Sequence, residues 1–222
     1  MASISPDQAI KAALSAARLG TFEAEIVPPA PILPGALALY AWNAQVSAAM
    51  LAPLHLCEVV IRNAVSDALT AVYGPQWPWS TVFEGSLPNP PDPRAFNPRR
   101  ELNRARRGQP STGKVIAELK MVFWQKMFTG RFDTRIWNPH LRAVMPYLDP
   151  AKSVQDLRRL IHADLEQLRE LRNRIAHHEP IFKRALAGDF TKIQELIAFR
   201  CPTTSAWMVQ NQQAQALIQA RP

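Results

Sequence analysis

Apolar residues along this chain recur every three or four positions and seldom alternate one by one, so the pattern predicts helices and little strand. The period is clearest after Ser153, where Leu157, Leu160, Ile161, Leu168, Leu171 and Ile175 fall on one stripe at ~100° per residue that has to face a core. Ser153 with Asp156 three residues on forms a capping box with the shorter acid, opening the longest predicted helix, which ends near His178 ahead of Pro180. Val115, Ile116, Leu119, Val122, Phe123 and Met127 carry the same spacing in a helix capped by Ser111 or Thr112 and running through Phe128. Phe123 and Trp124 within it read as core.

Prolines punctuate the rest. A first helix is expected from Pro6 to Leu19, followed by an extended linker imposed by Pro28, Pro29, Pro31 and Pro34. From Gly35 to Tyr73 the chain is rich in Ala, Leu and Val, and Pro53 is placed to open the second of two packed core helices. Residues 75–98 hold Trp77, Trp79 and many prolines without a helical period, a long irregular excursion of the kind that usually has a role. Asn97 and Pro98 form an N-cap and first-turn pair for a short basic helix through Arg107, Pro139 and Pro146 mark a further break, and short helices follow over Thr191 to Phe199 and Thr203 to Ile218. The fold class is all-α, with no internal repeat.

Composition narrows the partners. With 26 Lys and Arg against 18 Asp and Glu the formal charge is +8, which favours a polyanion through the summed field without separating RNA from DNA or an acidic protein. Cys57 and Cys201 are too few for a disulfide framework and lack metal-ligand spacing, so a reducing cytoplasm is the expected setting. No apolar run approaches ~18 uninterrupted residues and no basic-then-apolar leader opens the chain, so neither membrane spanning nor secretion is expected.

On the long helix, Glu166, Glu170, Asn173 and His177 share a polar side, and Asn173 and His177 are i, i+4 neighbours. Arg172 lies roughly 140° from His177 on a regular helix, so three routes could bring the two together. The helix unwinds before His177, the Arg stem covers the gap, or a second subunit supplies the partner group. His178 sits beside the apolar stripe and reads as structural or partly buried. His177, His178 and Glu179 diverge on a helix and have no third spaced ligand, so no metal is expected. Glu58 and Arg62 form an i, i+4 pair that serves equally well as a half-buried structural ion pair or as part of a site. Arg94, Arg99, Arg100, Arg104, Arg106 and Arg107 face only Asp92 and Glu101 nearby, and Lys114 extends the positive run. That run suits phosphate binding or a solubilising surface helix.

Three segments carry a family resemblance. The stretch from Leu171 to Phe182, with Arg172-Asn173-x-x-x-His177 at its centre, resembles the signature of the Abi-like abortive-infection proteins, a bacterial branch of the HEPN superfamily. Leu56 to Ala64, with Glu58 followed by Arg62-Asn63, resembles the family's early helix, and Gly113 to Leu119 with Phe123-Trp124 resembles its middle helix. The family often has a glycine where this chain has Val122. The likeness spans roughly residues 37 to 185. It implies a HEPN-like helical bundle at residues 35–188 with a basic Pro-rich insertion at 75–110. An N-terminal helix and linker (1–34) and C-terminal helices (189–222) would flank it.

It also implies a usually dimeric, metal- and cofactor-independent endoribonuclease of phage defence or toxin type, cutting RNA by 2′-hydroxyl attack and held in check by an antitoxin or regulatory partner. By motif position His177 would move protons, Arg172 would brace the phosphorane, and Asn173 would orient either. Glu58, Arg62, Asn63 and His178 would support them. The alternative is a non-catalytic HEPN-like module that binds RNA or protein.

Overall fold

The computed structural model describes residues 4–222, in which helices are joined by turns and no strand occurs. The helices are α1 (Pro6–Leu14), α2 (Ala16–Glu23), α3 (Ile32–Tyr73), α4 (Thr81–Ser86), α5 (Pro98–Ala105) and α6 (Thr112–Glu118). They continue as α7 (Met121–Met127), α8 (Asn138–Val144), α9 (Val154–Ala176), α10 (Leu186–Arg200), α11 (Pro202–Gln210) and α12 (Ala214–Gln219).

The 42-residue α3 is the spine, and α1, α2, α7, α8, α9, α10 and α12 all pack against it. Two helices were expected here and one is found. Proline at position 53 removes an N–H that would bond the Ala49 carbonyl and crowds that carbonyl, a cost of about 3 kcal/mol in a helix interior. Met50, Leu54 and Cys57 on either side, and Pro53 itself, are nevertheless buried in the same core, so continuing the helix keeps the two halves of its apolar face in register. By length and composition α3 also qualifies as a membrane span, with mean hydropathy 1.5 over its most apolar window, but seven helices pack against it within this fold.

Other expected helices divide where capping or packing competes with continuation. Ser15 adopts φ 74°, ending α1, and its hydroxyl accepts the Arg18 amide to start α2. The helix expected to run through Phe128 breaks at Leu119 and Lys120, which are extended, and the buried indole of Trp124 donates to the freed Leu119 carbonyl. The excursion at 75–98 contains α4, capped by Ser80. The final segment splits into α11 and α12, and α10 begins earlier than expected, at Leu186. Asn97 and Ser153 cap α5 and α9 as the sequence predicts.

One hydrophobic core runs from Leu19 and Phe22 in α2 to Met208 and Ala214 at the far end of the chain. Trp77, Trp124 and Trp137 are buried with their indole N–H groups bonded to Ser66, Leu119 and Met127, which removes the desolvation penalty of the ring nitrogen. Trp137 stacks on Phe128 at 4.3 Å between ring centres. On α9 the stripe is buried except for Leu160, which is 37% exposed, and Leu165 takes the inward position one turn on.

Arg158 of α9 is buried and chelates Asp133 at 2.9 and 3.3 Å while also donating to the Phe128 carbonyl at 3.2 Å. It ties α9 to the turn of π-helix at Asp133–Trp137. Arg158→Ala leaves Asp133 unpaired and should lower unfolding free energy by about 3 kcal/mol in urea titration, the low end for a broken buried pair.

Asp164, also buried on α9, has its carboxyl pKa raised above the ordinary value by burial and by Glu195, against the pull of Lys192. The native state therefore holds this proton more tightly than the unfolded chain, and stability falls as pH rises from about 4 through the raised value. Asp164→Asn should melt at a higher temperature than the parent at pH 7, with the advantage shrinking toward pH 4.

Candidate functional site

Three elements distant in sequence open onto one surface groove of about 700 Å³. The spine α3 contributes His55, Glu58 and Arg62, spaced so that one helix face presents all three. The break between α6 and α7 lends Glu118 and Lys120, and α9 contributes Arg169, Arg172 and Asn173. Phe96, from the loop ahead of α5, closes one end. Packing of α3 and α7 against α9 fixes these faces relative to one another.

Within the groove Arg62 donates to Glu58 across one helical turn, both side chains being 18% exposed, and the Arg62 Nε is buried without a partner. Arg169 donates from Nε to Oε1 of Gln125 at 2.9 Å, and Gln125 is completely buried on α7. That bond holds Arg169 toward the groove. Arg172 is exposed, and among the described residues its side chain has no hydrogen bond or ion pair, so its planar donor fork is free for an anion.

Arg172 and Asn173 thus share the groove with Glu58 and Arg62, whereas His177 is not among the lining residues. The His177 amide still donates to the Asn173 carbonyl at 2.9 Å, so α9 does not unwind before it. His177 is the exposed C-cap residue one turn beyond Asn173. Of the three routes for joining Arg172 to His177, the reach of the Arg stem and a second subunit remain.

The chain reverses at His178, with φ 56°, and this left-handed turn swings the side chain out of the apolar stripe. His178 is exposed, so of its two expected readings partial burial does not hold, and its carbonyl accepts from Arg18. It borders a separate recess of about 330 Å³ formed with Tyr40, Ala44, Ala48 and Leu51. Asn63 is also exposed and outside the groove, one position past Arg62 and therefore ~100° around the helix.

The basic run divides in two. Arg99 donates to the carbonyls of Gly85 and Leu87, each at 3.0 Å. Arg106 bonds the Pro78 carbonyl at 2.8 Å and pairs with Glu84 at 2.6 Å. Hydrogen bonds from Asn103 and Arg106 hold the Glu84 carboxyl below the ordinary range. These two arginines staple α5 onto α4 and are structural, which corrects the expectation that the whole run faces a ligand. Glu84 is a counter-charge that linear spacing did not reveal. Arg94, Arg100, Arg104, Arg107 and Lys114 are exposed, Arg104 with Glu101 at 3.3 Å.

Sequence reasoning missed Arg169 and its anchor Gln125. The signal was an amide inside the apolar run of α7, facing an arginine three residues before Arg172. No group of three or more His, Cys, Asp or Glu side chains placed to hold a metal occurs among the described residues. Compared with known protein families, with curated proteins and with solved structures, the chain matches none.

Proposed function

We propose that this chain is a metal-independent endoribonuclease of the HEPN type, acting in the bacterial cytoplasm in phage defence by abortive infection or as a toxin. One observation carries the reading. Glu58 and Arg62 on α3 and Arg172 and Asn173 on α9, drawn from two of the segments that resemble the family, line a single groove with an unpaired guanidinium in it.

In this reading RNA enters the groove and Arg172 grips the scissile phosphate through two parallel N–H donors. The ribose 2′-hydroxyl attacks that phosphorus, its proton passes to a base, and the 5′-oxygen leaves with a proton, giving a 2′,3′-cyclic phosphate. His177, an imidazole lying outside the groove one turn past Asn173, handles a proton in this reading. Asn173, one turn before His177 on the same side of α9, orients it or the phosphate. Glu58 holds Arg62 at the opposite wall.

A second copy completes the site. The face of α3 bearing Ala41, Ala44, Ala48, Leu51 and Ala52 is exposed and leads directly to His55 at the groove. In this reading a dimer packs on that face, and an antitoxin covering it would keep the chain inactive. The position of His177 outside the groove favours a second reading, a non-catalytic RNA- or protein-binding module.

Incubation of purified protein with total RNA in chelator separates the two. Cyclic-phosphate ends should appear with the parent chain, and Arg172→Ala and His177→Ala should each slow cleavage by ~10²–10³. Parental rates from either variant sink the assignment, and absence of cleavage by the parent favours the binding module. Ala48→Glu should convert a dimer to a monomer in sedimentation, and an unchanged mass would remove α3 from the interface.

A further inference from the structure

Beyond the groove, two further recesses each share a lining residue with a neighbour. An apolar slot of about 190 Å³ shares Phe96 with the groove and is lined by Leu87, Pro88, Pro98, Met127 and Phe132. A more polar recess of about 500 Å³ shares Phe132 with the slot and stands on Gly85 and Ser86, the residues next to Leu87 and Pro88. Each recess therefore has one aromatic lining residue in common with the next, Phe96 and then the largely buried Phe132.

Their chemistry alternates. The groove presents Lys120, Arg169 and Arg172, the rim of the slot presents Lys126, and the far recess presents Arg131 and Arg135. Among the described residues, none of Lys126, Arg131 and Arg135 forms an ion pair. Arg131 spends only Nε, on the Ser86 carbonyl at 2.9 Å, leaving both terminal nitrogens to donate. The hydroxyl of Tyr73 borders this recess, buried and without a hydrogen-bond partner.

The slot is smaller than the ~300–1,000 Å³ of sites that enclose a drug-sized ligand, and it suits one planar ring system. Its only polar lining residues are Lys126 and Thr129, whose hydroxyl donates to the Lys126 carbonyl at 3.0 Å, so it offers a surface for stacking and few groups for reading base edges.

Resting on the ribonuclease reading, we infer that the substrate is single-stranded RNA, held along this track with one unstacked base in the Phe96/Phe132 slot and the next phosphates on Arg131 and Arg135. Cation pockets separated by an apolar, aromatic slot match the alternation of phosphate and base in a single strand, and a duplex keeps its bases stacked away from such a slot. Sequence preference at the slotted position is weak, because every base has a stacking face.

The test uses fluorescence anisotropy of a labelled twelve-nucleotide RNA in chelator, on the full-length His177→Ala chain, which keeps every groove cation while cleavage of the probe is slowed. The single strand should bind at least ten-fold more tightly than the same sequence as duplex. Phe96→Ala should weaken binding about ten-fold. An abasic residue at one interior position should reproduce that loss without adding to it. Lys126→Glu and Arg135→Glu, surface changes whose folding is checked by melting, should weaken binding and flatten its salt dependence.

Equal affinity for duplex, or parental binding by Phe96→Ala and both charge reversals, overturns the track even if the parent chain cleaves RNA. Loss of binding in those variants with no cleavage by the parent keeps the track and removes the nuclease reading.

Discussion

Everything in this molecule depends on one long apolar helix finding cover. The spine α3 spans about 63 Å at 1.5 Å per residue, far more than one neighbour can bury, and the remaining helices are arranged to share the task. The N-terminal pair and the last helix, α12, pack on it beside α8, α9 and α10, so residues from both ends of the chain enter one core. Burial of apolar area supplies the drive, and it also outweighs the local cost of a proline in mid-helix.

Polar chemistry is positioned by the same packing. Gln125 is completely buried because α7 packs on α9, and there it has a single use, receiving Arg169. Arg158 performs a comparable service about three turns earlier on α9, closing the turn at Asp133. Arginines of this fold are therefore of two kinds. Those bonded to carbonyls or carboxylates, such as Arg99, Arg106 and Arg158, hold elements together, and those left unpaired, such as Arg172, remain available to an outside anion.

Helical periodicity and caps made much of the fold legible. The all-α class, the starts of α5 and α9, and the buried stripe of α9 follow from residues three and four apart and from side chains such as Asn97 and Ser153. Breaks were harder to see, because a helix can end without proline or glycine when a residue such as Trp124 rewards the interruption by bonding the freed carbonyl. Proline in turn was over-read at position 53, where tertiary packing prevailed. Within the site, Glu58, Arg62, Arg172 and Asn173 could each be singled out along the chain but their shared groove comes from packing of α3 against α9, and the loss of Arg99 and Arg106 to structural duty was not visible. Arg106's partner Glu84 lies about twenty residues away on another helix, and Arg99 bonds backbone carbonyls, both beyond the reach of local charge counting.

Pro53 carries one more consequence. It lies between the recess bordered by Ala44, Ala48 and Leu51 and the groove that begins at His55, so the missing backbone bond falls in the short stretch joining the two. Helices bend where their hydrogen-bond ladder is interrupted. The interruption in α3 is thereby confined to one joint, between the half that bears the apolar recess and the half that bears the groove.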